Sequence, residues 1–353
     1  MADRSVPTVS RTVDVVAPQR YRRSARRRWV ALGAVAVLCL LIAVSLCVGA
    51  RGIAPGTVLD ALLGIGSGEE FRIVRDLRVP RTVAGVLAGL GLGVAGAVIQ
   101  ALTRNPLADP GLLGVNAGAA VAVTLAVGVF GATAPSAYVW FALGGAGLIA
   151  ALVYLIGSAG RGGVDPVRLV LAGVALAAVL GGVVTAITLL NPDAFAQMRA
   201  WNAGTLVGRD FGVLRAVAPL LALGLLLALL LGPALSALTL GDDAAAGLGA
   251  SVRRTRTLSI AAITLLAGGA TAIAGPIVFV GLMVPHAARR FAGTDQRWIL
   301  LLSGLLAPSL LLLADVVGRV VMRPAEVPVG IVTAVLGGPV LMMLVRRRAA
   351  VRL

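Results

Sequence analysis

The sequence predicts an all-α integral membrane protein with ten transmembrane helices. Of its 353 residues, 59% are hydrophobic and only 13% are charged, and the mean hydropathy is +0.98. About a quarter of the residues in a soluble domain are charged, so this chain has too little charge to cover a soluble surface. Its hydrophobicity also excludes an intrinsically disordered chain. The second observation is a series of long windows without charge, since about 20 apolar residues span a bilayer.

The predicted helices lie in eight windows that contain no charged residue. These windows are 29–50, 82–103, 110–160, 169–192, 216–241, 257–288, 298–314 and 327–345. Six of them hold one helix each. The window 110–160 is long enough for two helices, which Pro135 separates. The window 257–288 holds one full helix and one short helix that ends near Pro285, divided after Gly275, which brings the total to ten.

Arginines at the two ends of the chain predict its orientation. Eight arginines lie within residues 1–28, and four follow the last window. Basic residues concentrate on the cytoplasmic side, so both termini are predicted to be cytoplasmic, and an even number of spans follows. The predicted domains are a cytoplasmic tail at 1–28, a transmembrane domain at 29–346 and a cytoplasmic tail at 347–353.

Several catalytic chemistries are excluded by residues that the sequence lacks. All 31 basic residues are arginine, whereas the phosphate loop of P-loop ATPases requires a lysine. The single histidine, His286, cannot form the HExxH zinc motif. Cys39 and Cys47 both lie in the first window and have no zinc-site spacing. We therefore expect no enzyme, and no metal or cofactor bound by this chain, so any ATP is hydrolysed by another subunit.

The positions of the charges limit the remaining function classes. The net charge of +16 comes from arginines at the edges of apolar windows, which topology explains without a nucleic-acid partner. An ion-coupled carrier would bury ionisable residues within its spans. Only Asp315 approaches such a position, with Arg319 four residues later on the same helical face. Ion coupling is therefore disfavoured, and a secondary transporter stays an alternative.

Small residues recur at every fourth position in two of the predicted helices. Gly85, Gly89 and Gly93 share one face of the second helix, and Gly173 and Gly181 occur in the fifth. Small residues let helix backbones approach closely in a membrane, where van der Waals contact replaces the hydrophobic effect. These five glycines are predicted to lie in helix-packing contacts.

Five arginines run against the expected distribution of charge. Arg51, Arg72, Arg75, Arg78 and Arg81 fall in a segment that the ten-helix topology assigns to the outside of the cell. Such a departure suggests a use, for example the docking of an acidic partner or ligand. An amphipathic surface helix with solvated charges explains the same pattern, and the charges alone leave both interpretations open.

Four strings of the sequence carry a family resemblance. They read RVPRTVAGVLAGLGLGVAGAVIQALTRNPLADPGLLGVNAG at 78–118, RLVLAGVAL at 168–176, GPIVFVGLMVPHAARRF at 275–291 and EVPVGIVTAVLGGP at 326–339. Together they resemble the FecCD-type permeases, subunits of bacterial ABC importers for iron–siderophores, haem and vitamin B12. The resemblance covers about 30–350 and implies a type II ABC importer permease with ten transmembrane helices in the bacterial cell (inner) membrane.

The resemblance also implies partners. In that family two permeases pair around a central pathway, which the fifth and tenth helices line, here at about 167–190 and 328–345. Two ABC ATPase subunits beneath them bind ATP and Mg, and an extracytoplasmic binding protein delivers the chelate. The vitamin B12 importer receives acidic residues of its binding protein on arginines that match Arg78, Arg81 and Arg319. Arginine suits this role because it is always charged and forms paired hydrogen bonds with carboxylates.

Two loops resemble the cytoplasmic gates of the family. They contain Asn105, Pro106 and Leu107 in the first and Asp165, Pro166 and Val167 in the second. The second gate of the vitamin B12 importer has a hydroxyl-rich triplet, so the sequence departs from the family pattern there.

The loop at about 239–256 resembles the coupling segment of the family, two short cytoplasmic helices that sit in a groove of the ATPase. The residues expected at that contact are Gly241, Asp242, Asp243, Ala246, Leu248 and Gly249. The two aspartates favour a helix that begins there, because acidic residues stabilise a first turn.

The sequence thus predicts the transmembrane permease subunit of an ATP-driven importer for a ferric siderophore or a similar metal chelate. The same machine carrying haem or vitamin B12 is one alternative, and an ion-coupled secondary transporter is an alternative of another class. The predicted partners are a second permease, identical or related, two ABC ATPases, an extracytoplasmic substrate-binding protein and membrane lipid, with no nucleic acid.

Overall fold

The computed structural model describes residues 16–49, 51–132, 134–159 and 165–349. In these ranges the chain forms helices and no strand, which confirms the all-α prediction. The helices are α1 (Val16–Cys47), α2 (Pro55–Leu63), α3 (Glu69–Arg72), α4 (Val79–Leu102), α5 (Val115–Gly128), α6 (Pro135–Ser158), α7 (Pro166–Leu190), α8 (Pro192–Asn202), α9 (Phe211–Leu230), α10 (Gly232–Leu238), α11 (Asp242–Gly247), α12 (Val252–Ala274), α13 (Val280–Ala292), α14 (Gln296–Val321) and α15 (Val329–Ala349). A π-helical segment, Ile73–Arg78, precedes α4, and a 3-10 turn, Pro110–Leu113, precedes α5.

Seven segments of the described chain are long and apolar enough to span a membrane. They are Arg26–Cys47, Glu69–Leu102, Pro135–Ser158, Pro166–Leu190, Phe211–Leu230, Val252–Ala274 and Gln296–Val321. Val115–Gly128 and Val329–Met343 are apolar but shorter. The structure thus supports a polytopic helical membrane protein, with seven membrane-length helices where the sequence predicts ten spans.

Both terminal helices extend into the predicted tails. The first helix begins at Val16, so 16–28 are helical, and the last helix includes 347–349. Arginine and alanine are strong helix formers, which explains why helices continue beyond the apolar windows. Residues 1–15 and 350–353 of the predicted tails lie outside the described residues.

Prolines and a glycine divide the long windows. Pro135 is the first residue of α6, as predicted, and Gly275 ends α12 with a φ of 74°. The prediction that the next helix ends near Pro285 is wrong, because α13 continues to Ala292. Proline cannot donate to the carbonyl four residues earlier. The carbonyl of Gly281 instead accepts a hydrogen bond from Nε2 of Gln100, at 3.3 Å.

The window 216–241 does not hold one uninterrupted helix. The helix α9 ends at Leu230, and α10 begins at Gly232 with Pro233 in its first turn. Proline favours the first turn of a helix and disfavours its interior. The window therefore contributes one membrane-length helix and one short helix next to α11.

The central helix is α4, which packs closely against α14 through its glycines. A Cβ atom at Gly89 would lie 2.5 Å from Cα of Pro308, and one at Gly93 would lie 2.5 Å from the carbonyl oxygen of Ser303. A Cβ atom at Gly85 would lie 2.8 Å from a methyl group of Leu312. These three positions of α4 leave no room for a side chain.

The two predicted packing glycines of α7 lie in different surroundings. A Cβ atom at Gly173 would collide with the carbonyl oxygen of Leu112, so α7 is close to the 3-10 turn there. No atom lies within 4 Å of the corresponding point at Gly181. Gly181 therefore lies on a face of α7 that the described residues leave uncovered, and its role in helix packing stays a prediction.

We predict that Gly89→Ala lowers the stability of the protein by about 2 kcal/mol, because overpacking a close contact costs roughly 1–3 kcal/mol. The added methyl group would meet backbone atoms of Pro308, which cannot move aside as a flexible side chain can. Thermal unfolding of the purified chain in detergent measures the change. The control is Gly144→Ala on α6, where no atom lies within 4 Å of the new Cβ. Equal melting temperatures for the two variants would contradict the packing argument.

Candidate functional site

Five charged side chains meet where α4 begins and α14 ends. They are Arg78, Arg81, Asp315, Arg319 and Glu326, which we call the arginine–carboxylate cluster. The side chain of Asp315 is 1% exposed and that of Arg319 is 2% exposed. Charges at this depth need partners, because burying an unpaired charge is expensive.

Two carboxylates hold Arg81. Its Nε lies 3.1 Å from Oδ2 of Asp315 and its Nη2 lies 2.8 Å from Oδ1, which is a paired contact. Its Nη1 donates to Oε2 of Glu326 at 2.6 Å. Asp315 also accepts a hydrogen bond from Nη2 of Arg319. Asp315 on α14 therefore pairs with both Arg81 and Arg319.

Arg78 and Arg319 also cap the C-terminal end of α1. Arg78 donates to the carbonyls of Leu46 and Cys47, both at 2.7 Å, and to the carbonyl of Arg51. Arg319 donates to the carbonyl of Ser45 at 2.8 Å, and to that of Val48 at 3.1 Å. The last carbonyls of a helix have no partner within it and carry partial negative charge, so guanidinium groups are stabilising there.

A cavity of about 230 Å³ opens beside the cluster. Its walls are Gly49, Arg51, Ile73, Leu77, Arg78, Arg81, Arg319 and Glu326. Three arginines and two carboxylates give the cluster a formal net charge of +1, and the exposed Arg51 adds another positive charge. The structure thus brings the three predicted docking arginines together, and each of them already has partners within the chain.

The other three arginines of that sequence group, Arg51, Arg72 and Arg75, lie at the surface. Arg72 and Arg75 are exposed, and the guanidinium group of Arg75 lies 5.3 Å from the ring centre of Phe71. Arg51 is 3.6 Å from a carboxylate oxygen of Glu70. The five arginines that the sequence grouped together therefore divide into buried and solvated members.

At the opposite end of α4, the first predicted gate forms a tight turn. The side-chain oxygen of Asn105 accepts a hydrogen bond from the backbone N–H of Leu107 at 3.0 Å. The backbone carbonyl of Asn105 accepts one from Ala108 at 3.1 Å. Pro106 follows Asn105, and its ring fixes its own backbone φ angle. The turn is therefore held by its own hydrogen bonds.

The second predicted gate is the start of α7. Oδ1 of Asp165 accepts a hydrogen bond from the N–H of Val167 at 2.9 Å, and Pro166 is the first helical residue. An acceptor before a helix and a proline at its first position are both typical of helix starts. Asp165 thus caps a helix, and the side chain of Val167 is exposed.

Asp109 follows the first gate and has a perturbed pKa. Its side chain accepts a hydrogen bond from the N–H of Gly111 at 2.9 Å. Burial raises the pKa of this carboxyl from 3.8 to about 6, and the hydrogen bond from Gly111 offsets part of the rise. Burial disfavours the charged form of an acid, which explains the direction.

The predicted coupling residues lie on and around α11, which follows α10 after a short turn. Asp243, Ala246, Leu248 and Gly249 are exposed, whereas Gly241 and Asp242 are half-buried. Leu240 and Leu248 are exposed large apolar side chains, and they border a groove of about 460 Å³ between α10 and residues 248–250.

Asp242 makes ion pairs that the sequence did not indicate. It accepts hydrogen bonds from Nη2 of Arg104 and from Nη2 of Arg256, the latter at 2.9 Å. We call Arg104, Asp242 and Arg256 the Asp242 cluster. The sequence analysis singled out neither Arg104 nor Arg256, and it did not single out Glu326 either. Long-range partners such as Arg104 and Asp242, which are 138 residues apart, leave no local pattern.

The fold and the site together define a class of protein. Membrane-length helices form one bundle, and charged clusters lie at both ends of its central helix. The described residues contain no group of three or more side chains able to hold a metal ion. These features define a polytopic helical membrane protein.

The chain belongs to the FecCD transport family, whose sequence profile matches residues 37–347. It is 49% identical over 317 residues to the ferric enterobactin transport system permease protein of Escherichia coli (strain K12), covering 90% of this chain and 94% of that protein. It is 39% identical over 326 residues to the Fe(3+)-citrate import system permease protein of Bacillus subtilis (strain 168), covering 92% and 97%.

A solved structure has the same fold. An inward-facing metal-chelate type ABC transporter matches with a TM-score of 0.80 and 25% sequence identity, over 91% of this chain and 99% of that chain. The prediction of a FecCD-type permease is confirmed, and the chain is a transport permease and not an enzyme.

We predict that Asp315→Asn destabilises the protein by about 3 kcal/mol, because breaking a buried ion pair leaves an uncompensated charge. Arg81 and Arg319 would lose their common carboxylate. The matched control is Glu326→Gln, whose side chain is 28% exposed and whose ion pair contributes less than about 1 kcal/mol. Thermal unfolding in detergent measures both, and a larger loss in the control would refute the assignment of Asp315 as the centre of the cluster.

Proposed function

We propose that the chain is the membrane-spanning permease subunit of an ATP-driven importer for a ferric siderophore or a similar iron chelate. The observation that carries this proposal is the 49% identity, over 90% of the chain, to a ferric enterobactin permease. The similarity to an Fe(3+)-citrate permease supports an iron chelate as the substrate class. The substrate passes through the protein as cargo and is not a resident cofactor.

We propose ten membrane crossings, formed by α1, α4, α5, α6, α7, α9, α12, α13, α14 and α15. Seven of them have membrane length, α5 and α15 are shorter apolar helices, and the tenth, α13, has 13 residues. In a bacterial cell membrane, both termini and the Asp242 cluster then lie on the cytoplasmic side. The arginine–carboxylate cluster lies on the outer side. The arginine-rich ends of the sequence support this orientation.

The α10–α11 segment is the proposed contact with the ATPase. Leu240 and Leu248 are 69% and 68% exposed, and they border the groove between α10 and residues 248–250. Exposed apolar side chains that surround a groove are typical of protein contacts. Two ABC ATPase subunits would hold ATP and Mg, and this chain would bind no cofactor and no nucleic acid.

A second permease, identical or related, is proposed to pack against α7 and α15. Large apolar side chains such as Val179 on α7 and Val335 on α15 are exposed, at 67% and 68%. Gly181 and Gly182 add a patch of α7 where another backbone can approach closely. The pathway between two such subunits would be closed at its cytoplasmic end by the loops at Asn105 and Asp165.

The arginine–carboxylate cluster is the proposed docking site for an acidic side chain of an extracytoplasmic binding protein. Its net positive charge and its cavity support this role. Glu326 already accepts a hydrogen bond from Nη1 of Arg81, at 2.6 Å. An incoming carboxylate would compete with Glu326 for that guanidinium group, since arginine forms paired bonds with carboxylates.

We expect deletion of the gene to abolish uptake of radiolabelled ferric siderophores, and complementation to restore it. Uptake should fall when ATP is depleted and persist when only the proton gradient is collapsed. Parallel assays with haem and vitamin B12 separate the possible cargoes. Uptake that follows only the proton gradient would refute the ABC importer, and loss of vitamin B12 uptake alone would refute the iron chelate.

We predict that Glu326→Gln tightens docking of the importer's own binding protein about threefold, because it removes a competing carboxylate from Arg81. Arg81→Gln should weaken docking by at least tenfold. Surface plasmon resonance on the permease in nanodiscs measures both affinities, and raising the salt concentration should weaken docking of the wild type. Weaker docking by Glu326→Gln would contradict the competition.

A further inference from the structure

The Asp242 cluster connects two segments to which the proposed function gives separate tasks. Asp242 is the first residue of α11, in the segment proposed to contact the ATPase. Arg104 is the residue directly before the Asn105 turn, which is the first proposed gate. One carboxylate therefore joins the two, and Arg256 at the start of α12 donates to the same carboxylate at 2.9 Å.

Arg104 holds the α10–α11 turn at two points. Its Nε donates to the carbonyl of Leu238, the last residue of α10, at 2.8 Å. Its Nη2 donates to Oδ1 of Asp242. The three residues between Leu238 and Asp242 are thus bracketed by one guanidinium group. A displacement of either short helix changes the position of that group.

The backbone of Arg104 leads directly into the gate turn. Arg104 has a φ of 51°, a left-handed conformation that side-chain-bearing residues rarely adopt. It is one of two such residues in the described chain, with Phe279. Strained conformations persist only where surrounding contacts hold them. The next turn is closed by the Asn105–Leu107 hydrogen bond.

We propose that Arg104 is a positioning residue that couples the α10–α11 segment to the Asn105 gate through Asp242. This inference rests on the proposed function. It goes beyond that function by identifying the side chain that transmits movement of the ATPase contact to the gate. Arg104 touches no substrate in this scheme.

A merely structural role makes a different prediction. The side chains of Arg104 and Asp242 are 41% and 43% exposed, and ion pairs this exposed contribute little to stability. Loss of the contact should leave the fold and ATP hydrolysis intact and should reduce transport. A structural defect would lower hydrolysis and transport together.

The chain offers a matched control at the same end of the bundle. Arg27 donates to Oδ2 of Asp295 at 3.0 Å and to the carbonyl of Ala292 at 2.6 Å. This contact repeats the pattern of Arg104, with one carboxylate and one backbone carbonyl. It joins α1 to the loop before α14 and does not involve α10, α11 or the gate. Arg27→Met therefore removes a comparable contact without the proposed connection.

The first measurement compares transport with ATP hydrolysis in the reconstituted importer. Arg104→Met is expected to lower ferric siderophore uptake about tenfold while ATP hydrolysis stays within twofold of the wild type. Asp242→Asn should lower uptake to a similar extent, and the double variant should lower uptake no further than either single variant, because each of them removes the contact between Arg104 and Asp242. Arg27→Met should leave both rates unchanged. Proportional loss of uptake and hydrolysis, or multiplied effects in the double variant, would overturn the proposal.

The second measurement does not require transport. Hydrogen exchange of the full chain in nanodiscs reports the gate turn through a peptide that covers 105–108. Asp242→Asn should accelerate exchange of these amides about tenfold, although Asp242 does not contact them. Asp295→Asn, the matched control, should leave the exchange unchanged. Unchanged exchange in Asp242→Asn would overturn the coupling even if the importer carries iron chelates, and accelerated exchange would support it even if the substrate class is wrong.

Discussion

Close backbone contact along α4 is the constraint on which the other features of this structure depend. Helices in hydrocarbon gain little from the hydrophobic effect, so their association relies on van der Waals packing. The helix α4 lies against α14 without side chains at Gly89 and Gly93, and at Gly96 its backbone faces that of Gly281. Its 24 residues form a rod of about 36 Å, which separates the two charged clusters.

The charges at the two ends of this rod follow different physical rules. At the α1 end, Arg78 and Arg319 satisfy helix carbonyls, and the buried Asp315 balances the guanidinium groups. At the other end, the pair of Arg104 and Asp242 is half-exposed. Such a pair can break and form again with a small change in free energy. A buried cluster resists rearrangement, whereas a half-exposed pair suits a contact that changes during a transport cycle.

Sequence analysis succeeded where the signal is local. Pro135 and Gly275 divide the long windows at the positions where helices begin and end. The fourfold spacing of Gly85, Gly89 and Gly93 predicted a packed face correctly, because side chains four residues apart share a face of a helix. At Gly181 no described residue lies against the helix, since a pattern within one helix does not tell which neighbour covers it.

Composition and charge by themselves determined that the chain is a helical membrane protein, and four strings determined its family. They did so because hydropathy and helix breaks are properties of short segments. Only the tertiary structure decided which arginines are buried. It also decided that Glu326 forms an ion pair with Arg81 and that Arg104 forms one with Asp242. These contacts join residues more than a hundred positions apart, and their formation depends on how the helices pack and not on any local sequence.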